Sequence, residues 1–147
     1  MKKWLSGLMV VLGIAGLVSV RLFERQWFYD PFLSYFKGIE AIKTFPYYEW
    51  MPLIWSHLLR MALNLLFSAV IIQFLFHNKA WTLQGCVLIL LVFGITFPIY
   101  LYCVSTEFSW GLLFGFYVRR FVIQPLVLLL IIPLFYYRKF LLKSQKP

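Results

Sequence analysis

Apolar runs separated by short polar segments divide this sequence into predicted membrane-spanning helices. Four runs stand out, at about 4–20, 53–76, 81–103 and 119–137. A helix needs about 17–25 predominantly apolar residues to cross the ~30 Å hydrocarbon core of a bilayer, and each run is of that length. The pattern therefore predicts an all-α integral membrane protein that forms a single transmembrane domain over residues 1–147 with four transmembrane helices.

The first run has two interpretations. Lys2 and Lys3 precede it, and a basic start before an apolar stretch is typical of a secretory signal. The run is long for the apolar part of such a signal, however, and it ends in Val18-Ser19-Val20, which is not a small-x-small cleavage site. We therefore expect an uncleaved first transmembrane helix, with a cleaved signal peptide as the alternative.

The segment between the first and second runs predicts a short amphipathic helix at about 31–43. Asp30-Pro31 is typical of a helix start, because Asp accepts from the free amides of the first turn and Pro at the first position has no amide to leave unpaired. Aromatic and aliphatic residues then recur at helical spacing: Phe32, Tyr35, Phe36, Ile39 and Ile42. Such a helix would lie in the membrane interface, and an aromatic loop at headgroup depth is the alternative.

The second run carries a polar stripe. His57, Arg60, Asn64 and Ser68 are spaced by 3, 4 and 4 residues, so they share one face of a helix. An arginine inside a span costs at least about 2.5 kcal/mol on insertion scales unless pairing or snorkelling relieves it. We therefore expect this stripe to face protein rather than lipid.

The fourth run contains a matching polar group. Arg120 has Gln124 one turn deeper, and Pro125 follows directly. A proline removes the helical donor for the carbonyl four residues earlier, here that of Phe121. We expect a neighbouring donor such as Asn64, or an arginine, to satisfy that carbonyl, so that the second and fourth helices pack through a polar layer.

The composition supports a membrane protein and argues against other classes. Hydrophobic residues make up 63% of the 147 residues and charged residues only 13%, against about 25% charged in soluble domains. The net charge of +9 comes from basic residues beside apolar runs, which indicates membrane-flanking charge and no nucleic-acid partner. The bilayer is the first expected partner, and nothing in the sequence indicates a small-molecule substrate.

The sequence offers no metal or cofactor site. His57 and His77 bracket one predicted helix and would lie about 30 Å apart along it, so they cannot share a metal ion. Cys103 could act as a nucleophile with His57 as its base, since both approach the same membrane face. That arrangement is the alternative function of a membrane-embedded cysteine peptidase or transferase.

Four spans would place both chain ends on one membrane face. That face would collect seven basic residues: Lys2, Lys3, Lys79, Arg138, Lys139, Lys143 and Lys146. The opposite face would collect seven more: Arg21, Arg25, Lys37, Lys43, Arg60, Arg119 and Arg120. The count is tied, but all five acidic residues fall on the second face, and four of its arginines sit at or inside helix ends. We therefore expect cytoplasmic termini.

Polar side chains gather at the face opposite the termini and form the candidate contact surface. The candidate residues are Arg21, Glu24, Asp30, Arg60, Asn64, Arg119, Arg120 and Gln124. A protein partner or an anionic headgroup would suit such a set. A structural protein that binds anionic lipid is thus a second alternative.

Several segments resemble one known family in matching order along the chain. They are Arg21-Leu-Phe-Glu24, Phe28-Tyr29-Asp30-Pro31-Phe32, Arg60 with Leu63-Asn64, Phe116-Tyr-Val-Arg-Arg-Phe-Val-Ile-Gln-Pro-Leu126 and Ile132-Pro-Leu-Phe-Tyr-Tyr137. Together they resemble the small membrane proteins associated with the exosortase F system of flavobacteria. The Tyr-Val-Arg-Arg-Phe segment with its following Gln-Pro is the most specific of them.

The resemblance implies a non-catalytic accessory protein of the bacterial inner membrane. It would act beside an exosortase, a multi-span cysteine transpeptidase-like enzyme that processes proteins with a C-terminal sorting signal. No enzymatic activity is associated with this family, so the resemblance gives no catalytic residues and implies a non-catalytic protein. The expected partner is the exosortase, the membrane tail of its substrate, or another membrane protein.

Overall fold

Helices make up nearly all of the chain that the structure describes. The structure is a computed structural model that describes residues 2–29, 31–32, 47–123 and 126–145. In chain order the helices are α1 (Lys2–Leu22), α2 (Glu24–Trp27), α3 (Trp50–Phe76), α4 (Lys79–Ser105), α5 (Leu112–Ile123) and α6 (Leu126–Ser144). The predicted all-α membrane class is confirmed.

Three of these helices, α1, α3 and α4, are each long and apolar enough to cross a membrane. Helices α5 and α6 meet the same criteria of length and composition only when taken together, and an angle of 61° separates them. The fourth run predicted at 119–137 therefore falls across two helices instead of one straight helix. At 27 residues, α3 and α4 are each about 40 Å long, so each extends about 10 Å beyond a ~30 Å hydrocarbon core.

The predicted interfacial helix at 31–43 lies mostly outside the described residues. Only Pro31 and Phe32 belong to them, and Phe32 is fully buried. Its ring lies against those of Tyr48 and Phe108, with centroid distances of 5.5 and 5.6 Å. The chain beyond α1 is thereby held against the segments that precede α3 and follow α4.

A two-residue turn joins α3 to α4. His77 adopts a left-handed conformation with φ of 52°, and its amide donates to the carbonyl of Gln73 at 2.8 Å. Asn78 then caps α4, because its Oδ1 accepts from the amides of Ala80 and Trp81 at 3.0 and 3.4 Å. A connection this short makes α3 and α4 antiparallel neighbours.

Helix α1 packs against α3 through glycine. A Cβ placed on Gly13 would lie 2.6 Å from Cγ1 of Ile71, and one on Gly16 would overlap the ring of Phe67. Small residues let two membrane helices approach closely enough to pack backbone against side chain. Ser6 Oγ lies 2.8 Å from Nε2 of His77, so the start of α1 meets the end of α3 and the two helices are antiparallel.

The buried apolar residues form two clusters along the bundle. The first includes Leu53, Phe97, Tyr100, Val104 and Val122, and lies where α3, α4 and α5 meet. The second comprises Ile71, Ile72, Phe76, Trp81, Leu128, Ile131 and Phe135, and lies among α3, α4 and α6. On α3, the buried side chains between Leu53 and Ile71 are the four of the polar stripe.

Candidate functional site

The polar stripe of α3 lies inside the bundle. His57, Arg60, Asn64 and Ser68 are all buried, with at most 7% of any of them exposed. A helix repeats every 3.6 residues, so this spacing gives the four side chains one face, and that face is turned toward the protein as the sequence predicted. We call these four residues, together with the buried Arg119 of α5, the polar layer.

His57 is fixed in the polar layer by its backbone and by α4. Its Nδ1 donates to the carbonyl of Leu53 at 2.8 Å, one turn earlier on α3. Its ring packs against Tyr100 and Phe97, with centroid distances of 5.1 and 5.9 Å. Cys103, the nucleophile of the alternative hypothesis, is only 1% exposed and lies in the first apolar cluster. A substrate could reach that thiol only after repacking of the cluster.

Arg60 and Asn64 connect α3 to two other parts of the chain. The Arg60 guanidinium carbon lies 4.7 Å from the ring centroid of Phe28, which follows α2, in a cation–π arrangement. Asn64 Nδ2 donates to the carbonyl of Ile123 at 3.1 Å. We expected Asn64, or an arginine, to donate to the carbonyl of Phe121. Asn64 is indeed a donor, but its acceptor is the carbonyl of Ile123, two residues farther along at the end of α5.

The two adjacent arginines of α5 have different environments. Arg119 is 5% exposed and belongs to the polar layer, whereas Arg120 is exposed with its guanidinium carbon 5.7 Å from the ring centroid of Phe116. Gly115 lies on the inner face, in contact with Phe108. The arginine on the inner side of α5 is thus Arg119, and not Arg120 as expected.

A cleft opens beside the polar layer between α1 and α6, with α3 at its floor. Its volume is about 270 Å³, and its polar lining consists of Arg21, Glu24, Arg60 and Asn64. The remaining lining is aliphatic: Leu17, Val18 and Val20 from α1, Ile123 from α5, and Leu126, Leu128 and Leu129 from α6. Arg25 adjoins the cleft on a neighbouring surface formed with Arg21 and Glu24.

The structure brings half of the eight candidate residues together in this cleft, namely Arg21, Glu24, Arg60 and Asn64. Arg119 is buried nearby, and Arg120 points outward. Asp30 and Gln124 lie outside the described residues. The sequence analysis missed Phe28 as the aromatic partner of Arg60; the signal available was the aromatic run 27–29 directly after the first apolar run.

The arrangement suits binding better than covalent chemistry. Cations lie at one end of an apolar cleft, so the cleft can hold a molecule with one charged end and one apolar end. Within the described residues no group of three His, Cys, Asp or Glu side chains is placed to hold a metal ion. A scan against protein-family models and searches of curated proteins and of solved structures found no match to this chain.

Proposed function

We propose that this protein is a non-catalytic accessory protein of an exosortase-type sorting system in the bacterial inner membrane. It binds the exosortase, or the membrane tail of an exosortase substrate, as a structural partner. The observation that carries the proposal is the outward face of α5, which presents an arginine among exposed aromatic and aliphatic side chains. The resemblance of the 116–126 segment to exosortase-associated proteins makes these the partners to test first.

The outward face of α5 has the composition of a binding surface. It comprises Leu113, Phe114, Tyr117, Arg120 and Phe121, all of which are exposed. Tyr, Trp and Arg dominate the residues that contribute most to protein–protein binding, because they combine large contact area with a polar group. The predicted contact residues Arg60, Asn64 and Arg119 are buried in this chain, so in this proposal they support the surface and do not touch the partner.

The opposite side of α5 is fixed to the rest of the protein. Gly115 contacts Phe108, while Val122 and Ile123 belong to the first apolar cluster. Asn64 holds the carbonyl of Ile123 from α3. A helix anchored in this way presents its outer side chains in one fixed arrangement, which lowers the entropy lost on binding.

The proposed topology has four spans, with α5 and α6 counted together as one, and cytoplasmic termini. Arg138 Nη1 donates to Oε1 of Gln84 at 2.9 Å, which brings the end of α6 to the start of α4, and Ser6 meets His77 at the same end of the bundle. Arg60 and Arg119 are buried, so they do not act as loop charges on the other face. Without them the basic residues near the termini predominate, which favours the cytoplasm for that end.

Co-purification in mild detergent tests the proposal, with the exosortase and a tagged substrate as separate baits. Tyr117→Ala and Arg120→Ala remove the centre of the proposed surface, and each is expected to weaken recovery about five-fold, which corresponds to the loss of more than about 1 kcal/mol that marks an important contact. Tyr137→Ala is the matched control, because Tyr137 is 63% exposed against 56% for Tyr117 and lies at the other end of the bundle. Normal recovery and normal sorting with both α5 variants would refute the proposal.

A further inference from the structure

The cleft between α1 and α6 is open toward the lipid. Val18 on α1 and Leu129 on α6 form its rim and are 49% and 65% exposed. Arg60 and Asn64 of α3 lie at its floor and are buried. Helix α1 packs mainly against α3 and makes little direct contact with α6. The space between α1 and α6 is therefore a lateral opening in the bundle that a membrane component can enter.

The size of the cleft selects an extended apolar chain over a helix. A dry cavity of about 150 Å³ binds benzene, and this cleft measures about 270 Å³. One turn of an α-helix with its side chains, about 10 Å wide and 5.4 Å long, occupies roughly 420 Å³. A single turn of a partner's transmembrane helix thus has more volume than the cleft, whereas several methylene groups of an acyl chain fit between its aliphatic walls.

The charge at one end of the cleft selects an anion. Arg21 and Arg60 line this end together with Glu24, and Arg25 adjoins it, so the arginines outnumber the acid among the described residues there. The Arg60 guanidinium is held against the ring of Phe28, which keeps the charge in place before any ligand arrives. Arg21 lies one helical turn, about 6 Å, beyond the wall residue Leu17, close to the distance between a headgroup and its first methylenes.

We infer that this cleft is a binding site for an anionic phospholipid. One acyl chain lies between α1 and α6 against Val18 and Leu129, and the phosphate lies beside Arg21 and Arg60. The bound lipid fills the opening between α1 and α6, which make little direct contact with each other. This site is separate from the outward face of α5 and does not depend on the function proposed for that face.

Photo-crosslinking tests the inference in the full-length protein. A benzophenone amino acid replaces Leu129 at the rim, and in a second protein it replaces Leu130, which is 69% exposed and outside the cleft lining. The proteins are reconstituted in phosphatidylcholine vesicles with a minor fraction of phosphatidylglycerol, and the attached lipids are identified by mass. Phosphatidylglycerol at position 129 should exceed its fraction in the vesicle at least about five-fold, as expected for one arginine near an anionic headgroup, while position 130 should report the bulk composition.

Arg21→Gln then tests the charge contribution at the cleft. Arg21 is exposed, so the substitution should leave the fold intact, and it should lower the enrichment at position 129 about five-fold. Tyr117→Ala on α5 should leave the enrichment unchanged, because Tyr117 does not line the cleft. Equal lipid composition at positions 129 and 130 would overturn the inference. A protein-sized adduct at position 129 in cells, in place of a lipid-sized one, would overturn it too, since a polypeptide would then occupy the cleft.

Discussion

Two buried polar residues one turn apart on α3 should differ in how much their substitution lowers the stability of the protein. Asn64 and Ser68 both belong to the polar layer and are both buried. Asn64 donates to the carbonyl of Ile123 at 3.1 Å, whereas Ser68 Oγ has no hydrogen-bond partner among the described residues. We predict that Asn64→Leu destabilises the protein and that Ser68→Ala does not.

The expected magnitudes follow from the bond that each change removes. Asn64→Leu keeps a similar volume but removes the donor for a carbonyl on a residue that is 7% exposed. A buried polar group left without a hydrogen bond costs the protein about 1–3 kcal/mol of stability. Interhelical hydrogen bonds in a membrane protein contribute about 0.6 kcal/mol on average and up to about 1.7 kcal/mol. We expect a loss of about 1–2 kcal/mol for Asn64→Leu, which is about 5–30-fold in the folding equilibrium.

Ser68→Ala removes a hydroxyl that no described residue binds, so its stability should stay within about 0.5 kcal/mol of the wild type. Ser68 borders a small cleft of about 30 Å³ that Asn64 also lines. The loss of one oxygen there enlarges a space that already exists. The substitution therefore controls for any general effect of removing a polar atom from α3.

The assay is equilibrium unfolding of the purified protein in mixed micelles, titrated with SDS and followed by circular dichroism. The free energies of unfolding of the two variants and the wild type are compared at one SDS fraction. If Asn64→Leu matches the wild type, the contact with Ile123 does not stabilise the packing of α3 on α5. If Ser68→Ala loses as much as Asn64→Leu, the effect belongs to the polar layer as a whole and not to one bond.

Three further predictions test other parts of the structure. Gly13→Ala should lower the free energy of unfolding by about 1–3 kcal/mol in the same titration, because the new Cβ meets Ile71, while Gly7→Ala, which meets nothing within 4 Å, should be neutral or stabilising. Cys103→Ala should leave sorting of an exosortase substrate unchanged in cells, since the thiol is buried and has no access to substrate; loss of sorting with normal protein levels would instead support the cysteine enzyme. A reporter active only outside the cytoplasm should be inactive at the C terminus and active when inserted in the 106–110 turn; the reverse pattern would invert the proposed topology.

The three long helices were predictable because the energetics of the bilayer act on each of them separately. A span must be long, apolar and nearly free of charge, whatever its neighbours are. The first run at 4–20 corresponds to α1 at Lys2–Leu22, which differs by two residues at each end. The inward orientation of the polar stripe on α3 was equally predictable from the sequence. A polar side chain inside a bilayer avoids lipid, and four of them at helical spacing show which face of the helix is turned inward.

The angle between α5 and α6 was not accessible in the same way. Length and hydropathy add up over a run of residues and are insensitive to a change of direction within it. The run 119–137 satisfies the length criterion whether or not it is straight. The contact between Arg60 and Phe28 was only partly predictable, because the aromatic run 27–29 places aromatic side chains near the end of the first span but does not show which residue of another element they contact.

The prediction that Arg120 faces the interior was wrong, because the sequence does not show which side of α5 packs against the rest of the protein. Adjacent residues of a helix lie about 100° apart around its axis, so only one of Arg119 and Arg120 can face the bundle. Arg120 was expected to face inward, because Gln124 follows it one turn deeper on a helix that was assumed to continue straight through residue 137. The rotation of α5 is set instead by Gly115, which packs against Phe108 and brings Arg119, four residues on, to the inner face. In this chain the glycine one turn before Arg119 lies on the buried face of α5, whereas Arg120 lies on the exposed face.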